Sequence, residues 1–152
     1  FKEYRALSYM DCVLKEAMRV FTPVPILNRE CIETDVVEGV TIPPHTSIIV
    51  SVWALHQNAE IWGEDVKLFR PERFSAEESR KRHPWAYLPF SLGERNCIGQ
   101  NLSITEAKVV LATLLRQWTI SLPEGQPPPI TDAFVIPVRP ADKLQIVLTP
   151  RL

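Results

Sequence analysis

The residues best suited to chemistry stand in one short loop, PFSLGERNCIGQ, which runs from Pro89 to Gln100. This loop puts Arg95 two positions before Cys97 and surrounds both with glycines. A thiolate is a soft anionic ligand that suits iron, copper(I) or zinc, and it is also a nucleophile. The arginine stays charged at any working pH and pairs well with a carboxylate or a phosphate. The loop therefore predicts either a metal ligand or a nucleophile beside an anion-binding side chain.

A long apolar pattern follows the loop and predicts a helix that is buried on most of its sides. The unpaired N–H groups and the positive dipole end at the start of such a helix would stabilise an anionic sulfur at Cys97. Gly93 and Gly99 are expected to let the backbone turn tightly and approach a flat ligand closely. The apolar positions of this helix are Leu102, Val109, Val110, Leu111, Leu114, Leu115 and Trp118.

The other candidate groups give little support to a nucleophilic site. The three histidines, His45, His56 and His83, are scattered with no partner pattern, so an obvious general base is lacking. Cys12 and Cys31 are expected to be small apolar residues. Three cysteines at irregular spacing provide neither a disulfide framework nor zinc-ligand spacing, and they favour a reducing compartment. Taken alone, the loop is most simply interpreted as an ordinary cysteine with a surface arginine.

The first strong helical pattern carries a glutamate and an arginine on its polar face. Ser8 is the expected N-cap, and Pro23 and Pro25 stop the helix. Glu16 and Arg19 stand three residues apart and are therefore neighbours on the helix surface. The pattern alone predicts an exposed pair worth about 0.3 kcal/mol. The apolar positions at helical spacing are Met10, Val13, Leu14, Ala17, Met18 and Phe21.

Between this helix and the loop, the sequence predicts strands and then short helical turns. Residues 36–37 and 41–42 predict two short strands around a tight turn at Gly39. The run TSIIVSVWAL, residues 46–55, is rich in β-branched residues and predicts a buried strand. Residues 56–84 mix charges, prolines and aromatics and predict short helical turns and loops.

The end of the chain and its bulk composition limit the possible classes. Residues 134–138 and 144–148 predict a terminal hairpin around the sequence RPADK. With 152 residues, 45% apolar residues and a net charge of −1, the chain fits one globular domain and argues against disorder and nucleic-acid binding. No apolar run approaches the roughly 20 residues that span a bilayer. The chain does not begin with Met and shows no signal peptide, so we expect a fragment whose upstream part is missing.

The full spacing of the cysteine loop is more specific than its cysteine alone. Phe90, Gly93, Arg95, Cys97 and Gly99 match the pattern F-x-x-G-x-R-x-C-x-G at every fixed position. This spacing resembles the haem-binding loop of the cytochrome P-450 family of haem-thiolate monooxygenases.

Two further motifs stand in the order that this family shows. Glu16 and Arg19 form E-x-x-R on the first helix, and residues 71–74 read P-E-R-F. The resemblance implies that Glu16, Arg19 and Arg73 form a buried structural network of charges near the proximal side. Loss of one partner from such a buried network costs roughly 3–5 kcal/mol, far more than loss of an exposed pair.

The resemblance also implies a cofactor and its contacts. The cofactor is heme b, iron protoporphyrin IX, with Cys97 as the axial thiolate on the iron. Arg95 would pair with a haem propionate. Arg29 matches a position at which many family members carry another propionate-binding arginine, and a surface role at a strand end is its alternative. Phe90 would pack against the haem or the loop, or simply in the core, and Gly99 would let the following helix approach the ring.

Two apolar stretches are expected to face the substrate in such a fold, with plain core packing as the alternative for both. One is the turn after the first helix, residues 24–27, and the other lies near the terminal hairpin, around residues 133–136. His56 lies in a stretch similar to the family's A-L-H-R-D-P, but Gln57, Asn58 and Ala59 differ from it, so we expect a structural hydrogen bond there. The expected substrate-lining residues are Val24, Pro25, Ile26, Phe134 and Val135.

The fold that the resemblance implies is mainly α with a smaller β-sheet subdomain. Residues 1–152 would form the C-terminal part of a single cytochrome P-450 domain. The implied reaction inserts one oxygen atom from O₂ into an apolar organic substrate, with electrons from an NADPH-dependent reductase. The implied location is the cytoplasmic face of the endoplasmic reticulum membrane, through an N-terminal anchor upstream of this chain. The family's oxygen-activating residues would also lie upstream, so we expect this fragment alone to be inactive and to fold poorly.

Two alternative functions stay open at this point. Some family members rearrange or dehydrate peroxides without a redox partner, although their cysteine loops are often altered and this one is standard. A haem-free structural or interaction module is an alternative from another class. The intact Cys97 and Arg95 argue against loss of function in the parent protein, though not against loss of function in this fragment.

Overall fold

The computed structural model describes residues 6–126, 131–132, 136–141 and 143–151. The helices are α1 (Ser8–Phe21), α2 (Val52–His56), α3 (Ala59–Trp62), α4 (Ala76–Arg80) and α5 (Gln100–Gln117). Short 3₁₀ turns cover Pro71–Phe74, Pro84–Ala86 and Gly93–Arg95. The strands are β1 (Ile26–Glu30), β2 (Asp35–Val37), β3 (Val40–Ile42), β4 (Ser47–Ser51), β5 (Trp118–Ser121), β6 (Thr131–Asp132), β7 (Arg139–Pro140) and β8 (Val147–Pro150). The predicted class, mainly α with a smaller β component, is confirmed, and so are the short turns of residues 56–84.

Helix α1 is confirmed, but its predicted N-cap is wrong. Ser8 lies in the first turn, and the capping position belongs to Leu7, which makes no side-chain hydrogen bond. Asp11 compensates in part, because a carboxylate in the first turn interacts favourably with the helix dipole. At the other end, Thr22 adopts a left-handed conformation with φ 37°, and its N–H donates to the Met18 carbonyl oxygen. The helix therefore ends at Phe21, before the first proline.

The predicted hairpin around Gly39 is confirmed as strands β2 and β3. Glu38 and Gly39 occupy the turn with φ values of 48° and 81°. Positive φ at both central residues is the requirement of the two-residue turn that matches the twist of paired strands. The pairing is antiparallel, with Val36 opposite Thr41.

The strand predicted over residues 46–55 is only half correct. It ends at Ser51, whose hydroxyl accepts the Ala54 N–H at 3.2 Å and so caps helix α2. Strand β4 pairs antiparallel with β1, but Ile49 and Val50 are exposed. The predicted burial is wrong because, among the described elements, no layer covers this two-stranded sheet.

The small hydrophobic core lies beside α1, among the short helices that follow β4. Its buried members are Trp62, Val66 and Phe74, and Cys12 and Tyr87 pack against them. The rings of Trp62 and Phe74 lie 5.6 Å apart, and those of Phe74 and Tyr87 lie 4.7 Å apart. This aromatic packing fixes the segment that leads from the P-E-R-F turn to the cysteine loop.

Helix α5 differs from its prediction in both length and burial. It ends at Gln117, and Trp118 begins strand β5. Of the residues of α5, only Lys108 is buried, whereas Leu102 is 72% exposed. The Lys108 Nζ lies 2.6 Å from a carboxylate oxygen of Asp11, which ties α5 to α1. The predicted burial on most sides is wrong because the described elements cover little of this helix beyond the side facing α1.

The predicted terminal hairpin is replaced by two other strand pairs. Strand β8 pairs antiparallel with β5, and residues 139–140, expected in the turn, form β7 and pair with β6. Of the predicted strand 134–138, Phe134 and Val135 lie outside the described residues, and residues 136–138 do not form a strand. Across the described part of the chain, no helix has the length and apolarity to cross a membrane.

Candidate functional site

The cysteine loop is built from two residues with positive φ and a short 3₁₀ turn. Ser91 has φ 62° and Gly93 has φ 79°. A Cβ on Gly93 would have open space around it, so the left-handed backbone alone favours glycine here. The Cys97 N–H donates to the Phe90 carbonyl oxygen at 2.9 Å and closes the loop. These constraints hold the cysteine against the residues that open the loop.

The thiol lies just ahead of α5, in an exposed position and free of any disulfide. The Cys97 carbonyl oxygen accepts the Gln100 N–H at 3.3 Å, and Gly99 is the N-cap. Gly99 has φ −84°, which any residue can adopt, so the tight turn expected there occurs at Gly93 instead. A Cβ on Gly99 would lie 3.8 Å from the Cys97 sulfur, an ordinary van der Waals contact.

A cavity of about 340 Å³ adjoins the loop and brings together residues from three parts of the sequence. Its chemical groups are the Cys97 thiol and the side chains of Arg29 and Arg95. The remaining lining is mostly apolar: Met18, Pro23, Val24, Leu27, Pro89, Phe90 and Ser91. Of the turn expected to face the substrate, Val24 and Leu27 border this cavity, while Pro25 and Ile26 do not. The other expected contacts, Phe134 and Val135, lie outside the described residues.

Arg29 reaches the cysteine loop from strand β1. One Nη donates to the Ser91 hydroxyl oxygen at 3.2 Å, and the other donates to the Asn28 carbonyl oxygen at 2.8 Å. The side chain is otherwise exposed. Arg29 and Arg95 therefore put two positive charges at the cavity that holds the thiol.

In a buried site, the Glu16 carboxylate forms ion pairs with the guanidinium groups of Arg19 and Arg73. Arg19 donates to both carboxylate oxygens of Glu16 at 2.8 Å. The Arg73 Nε lies 3.4 Å from the same carboxylate as an ion pair without a hydrogen bond. All three side chains are almost fully buried, and the Arg70 N–H adds a hydrogen bond to Glu16 at 2.9 Å. The structure brings together the three residues of the expected network.

A second carboxylate, Asp65, balances the extra positive charge, and the sequence analysis missed it. The Arg73 Nη2 lies 2.8 Å from an Asp65 carboxylate oxygen, and Arg70 pairs with the other oxygen at 3.0 Å. The hydrogen bond from Arg73 is the main cause that lowers the pKa of Asp65. Asp65 lies in an irregular segment where no periodicity marks its partner.

His56 links this network to the loop. The side chain is fully buried, its Nδ1 lies 3.2 Å from the Thr22 hydroxyl oxygen, and its Nε2 accepts the Leu88 N–H at 3.0 Å. Burial, helped by the charge of Arg19, lowers the pKa of His56 to about 4. The expected structural hydrogen bond at His56 is thus present.

Two further side chains of this region had no signal in the sequence analysis. The Tyr87 hydroxyl donates to the Lys15 carbonyl oxygen at 2.9 Å, and burial raises the pKa of Tyr87. The Arg82 guanidinium lies 4.1 Å from the ring centre of Trp62 and donates to the Arg73 carbonyl oxygen at 2.6 Å. Across the described residues, no three His, Cys, Asp or Glu side chains converge as a metal site.

Helical packing behind a cysteine loop, with a free thiol and two arginines at one cavity, is the arrangement expected of a haem-thiolate protein. The family model described as Cytochrome P450 matches residues 1–147. The chain belongs to the cytochrome P450 family.

Relatives and solved structures agree with this assignment. The chain is 47% identical over 120 residues to a relative from Caenorhabditis elegans, CYP13A2, covering 78% of this chain and 23% of the relative. It is 44% identical over 119 residues to cytochrome P450 4V2 of Mus musculus, covering 78% of this chain and 22% of the relative. The crystal structure of a cytochrome P450, CYP102L1, superposes with a TM-score of 0.90 and 30% identity over 99% of this chain and 33% of that chain. The chain thus spans about a quarter to a third of the length of these proteins.

Proposed function

We propose that the chain provides the proximal, thiolate-bearing face of a haem-thiolate monooxygenase. The observation that carries the proposal is the cavity at which the Cys97 thiol meets Arg29 and Arg95. We further propose that residues 1–152 are the C-terminal part of a longer single domain, since the relatives extend well beyond the matched region.

The residues of the cavity fit the haem that the family implies. Cys97 offers one soft anionic ligand for iron. Arg29 and Arg95 offer two cations for the two propionates, and guanidinium groups recognise carboxylates well. Phe90, Val24 and the neighbouring prolines give an apolar wall for a flat macrocycle. This match of donor types supports heme b as the cofactor.

Each residue has a distinct task in this proposal. When bound, the haem would supply the oxygen chemistry, which a thiolate ligand such as Cys97 would promote. Cys97 binds the metal, and Arg29 and Arg95 orient the propionates. Gly93 gives the loop its shape, Gly99 lets α5 lie close to the ring, and Phe90 packs beside it. The protein thus supplies binding, orientation and a dry environment rather than the reaction itself.

The substrate and partners are proposed from the family and from the apolar lining. Val24 borders the cavity, and we propose Pro25, Ile26, Phe134 and Val135 as further contacts to an apolar organic substrate. Electrons would come from an NADPH-dependent reductase at the endoplasmic reticulum membrane. The intact cysteine loop favours oxygen insertion over peroxide rearrangement.

Oxygen consumption tests the proposed reaction. The complete polypeptide, loaded with haem and mixed with a reductase and NADPH, should consume O₂ and form a product that contains one oxygen atom from ¹⁸O₂. Conversion of a peroxide without reductase or NADPH, and no incorporation of ¹⁸O, would favour the isomerase or dehydratase alternative.

Haem retention tests the two arginines separately from turnover. Arg29→Gln and Arg95→Gln should each speed the transfer of haem to an acceptor protein, because each removes a charge-assisted contact to a propionate. Arg116→Gln, on an exposed position of α5, is the matched control and should leave the transfer rate unchanged. Equal haem transfer rates in all three variants would contradict propionate binding by Arg29 and Arg95.

A further inference from the structure

The hydrogen bonds around His56 fix both its tautomer and its charge. The Leu88 backbone N–H can only donate, so its bond to Nε2 at 3.0 Å requires a lone pair on that nitrogen. The proton of the neutral ring is then on Nδ1, 3.2 Å from the Thr22 hydroxyl oxygen. The Thr22 hydroxyl in turn donates to the Arg19 carbonyl oxygen at 2.8 Å. A second proton on His56 would put two donors face to face at Leu88.

The residue that His56 holds, Leu88, immediately precedes the cysteine loop. Leu88 stands two positions before Phe90, and the Phe90 carbonyl oxygen accepts the Cys97 N–H at 2.9 Å. A short path therefore runs from the buried imidazole through one hydrogen bond, the backbone of residues 88–90 and a second hydrogen bond to the thiol-bearing residue.

The other groups around the imidazole keep it in place and uncharged. The Tyr87 ring stacks on it with centroids 5.2 Å apart, and the Trp62 ring meets it edge-on at 6.3 Å. Arg19 Nη1 donates to the His56 carbonyl oxygen at 2.9 Å, so the nearest charged group is a cation. The carboxylate of Glu16 is occupied by that same arginine. Nothing among these contacts would favour an imidazolium.

We propose that His56 is a positioning residue for Cys97: its unprotonated Nε2 anchors the Leu88 N–H and thereby sets where the loop presents the thiol. The proposal rests on the proposed function, because the position of Cys97 matters most when it must meet a metal. A histidine that merely fills the core would stabilise the fold without affecting the loop through this particular nitrogen.

Two substitutions of His56 distinguish the role of Nε2 from that of Nδ1. His56→Gln can offer an acceptor near the position of Nε2 and cannot be protonated. His56→Asn can offer a polar group near the position of Nδ1 but is too short to reach Leu88. Val52→Ala is the matched control, because Val52 lies in the same short helix and is fully buried but has no side-chain hydrogen bond.

The experiment compares these variants in the haem-loaded complete polypeptide. In His56→Asn, the Leu88 amide should exchange with deuterium about tenfold faster than in the wild type, the factor expected for one lost hydrogen bond. A smaller share of its reduced, carbon monoxide-bound form should show the red-shifted Soret band of thiolate ligation. His56→Gln should keep both readouts near wild-type values, and Val52→Ala should lower stability without changing the share of thiolate ligation.

If His56→Asn and His56→Gln gave the same Leu88 exchange rate and the same share of thiolate ligation, the proposal would be overturned. It would also be overturned if Val52→Ala changed both readouts as much as His56→Asn does. If neither variant folds, the ¹⁵N spectrum of wild-type His56 still decides the premise: Nε2 must appear as an unprotonated acceptor at neutral pH, and a protonated Nε2 would overturn it. The wild type could lack the thiolate-type band and still have a protected Leu88 amide. This result would contradict ligation by Cys97 but not the hydrogen bond from Leu88 to His56.

Discussion

Glu16 is the residue whose charge the surrounding structure depends on most. It lies fully buried against Arg19 and Arg73, which have Asp65 as their only other carboxylate among the described contacts. Backbone carbonyl oxygens accept further hydrogen bonds from the two guanidinium groups: Arg19 donates to Leu68, and Arg73 donates to Trp62. The network thus joins α1 to the P-E-R-F turn and to the segment that precedes it.

Removing the charge of Glu16 should be strongly destabilising. Glu16→Gln leaves two buried guanidinium groups with too little negative charge, and we expect a loss of roughly 3–5 kcal/mol in the free energy of unfolding. Urea unfolding of the complete polypeptide measures it. Glu77→Gln, which removes an exposed partner of Lys81, is the control and should cost at most about 1 kcal/mol. Similar losses in the two variants would contradict a buried network.

His56 gives the stability of the protein a defined pH dependence. Its pKa is about 4 in the folded state and 6.5 in an unperturbed state, so the unfolded chain binds a proton first as the pH falls. Stability is therefore fully present above pH 6.5 and falls between 6.5 and 4, by about 3 kcal/mol in all.

His56→Gln isolates this contribution. Stability measured at half-unit steps of pH should decline in the wild type across this window and stay flatter in the variant. Asp65 contributes with the same sign but at lower pH, because its folded pKa lies below the ordinary value for aspartate. Parallel curves for wild type and variant would contradict a neutral, buried His56.

Among the elements, the cysteine loop contains two glycines whose backbone conformations differ. Gly93 has a left-handed backbone that favours glycine, whereas Gly99 has a backbone that any residue can adopt. Gly93→Ala forces a Cβ onto a left-handed backbone and should cost about 1–2 kcal/mol. Gly99→Ala keeps an ordinary φ and meets only the Cys97 sulfur at contact distance, so its cost should stay near 0.5 kcal/mol. Thermal unfolding of the two variants checks this order, and the reverse order would contradict the loop geometry.

The elements that the sequence predicts well are those with a local cause. The 3.6-residue period of α1 and the turn at Gly39 depend on neighbouring residues, and both are present. The apolar composition of strand β4 and helix α5 predicts burial, but both are largely exposed. Composition shows which side chains could be buried and does not show whether another element packs on them. Composition also fails to predict where strand β4 ends. Ser51 caps helix α2 and ends the strand, but the β-branched run continues past it.

The candidate site divides in the same way. Cys97, Arg95, Glu16 and Arg19 were found because their spacing is fixed along the chain. Asp65, Tyr87 and the Leu88 anchor were missed, since they meet their partners only across the fold. Long-range contacts of single residues leave no periodic signal.

At the scale of the whole molecule, the described elements leave much apolar surface uncovered. Ile98 is 104% exposed, Ile32 is 86% exposed and Leu102 is 72% exposed, whereas the fully buried core is small. Exposed apolar surface favours association. The chain is therefore expected to fold poorly by itself and to need the rest of a P450 domain as cover.

Sedimentation of the isolated chain tests this expectation. It should self-associate with rising concentration and melt without a sharp transition. Leu102→Gln should reduce the association while leaving the helical circular dichroism signal unchanged, and Thr113→Gln, an exposed polar position on the same helix, is the control. A monomer with a sharp cooperative melt would contradict the expectation.

The proposed function depends above all on Cys97 binding haem iron as a thiolate. The absorption spectrum of the complete polypeptide, reduced and under carbon monoxide, tests it most directly. We expect a strongly red-shifted Soret band in the wild type that is abolished in Cys97→Ala and retained in Cys31→Ala. The same band in Cys97→Ala, or a wild type without any haem band after reconstitution, would contradict it.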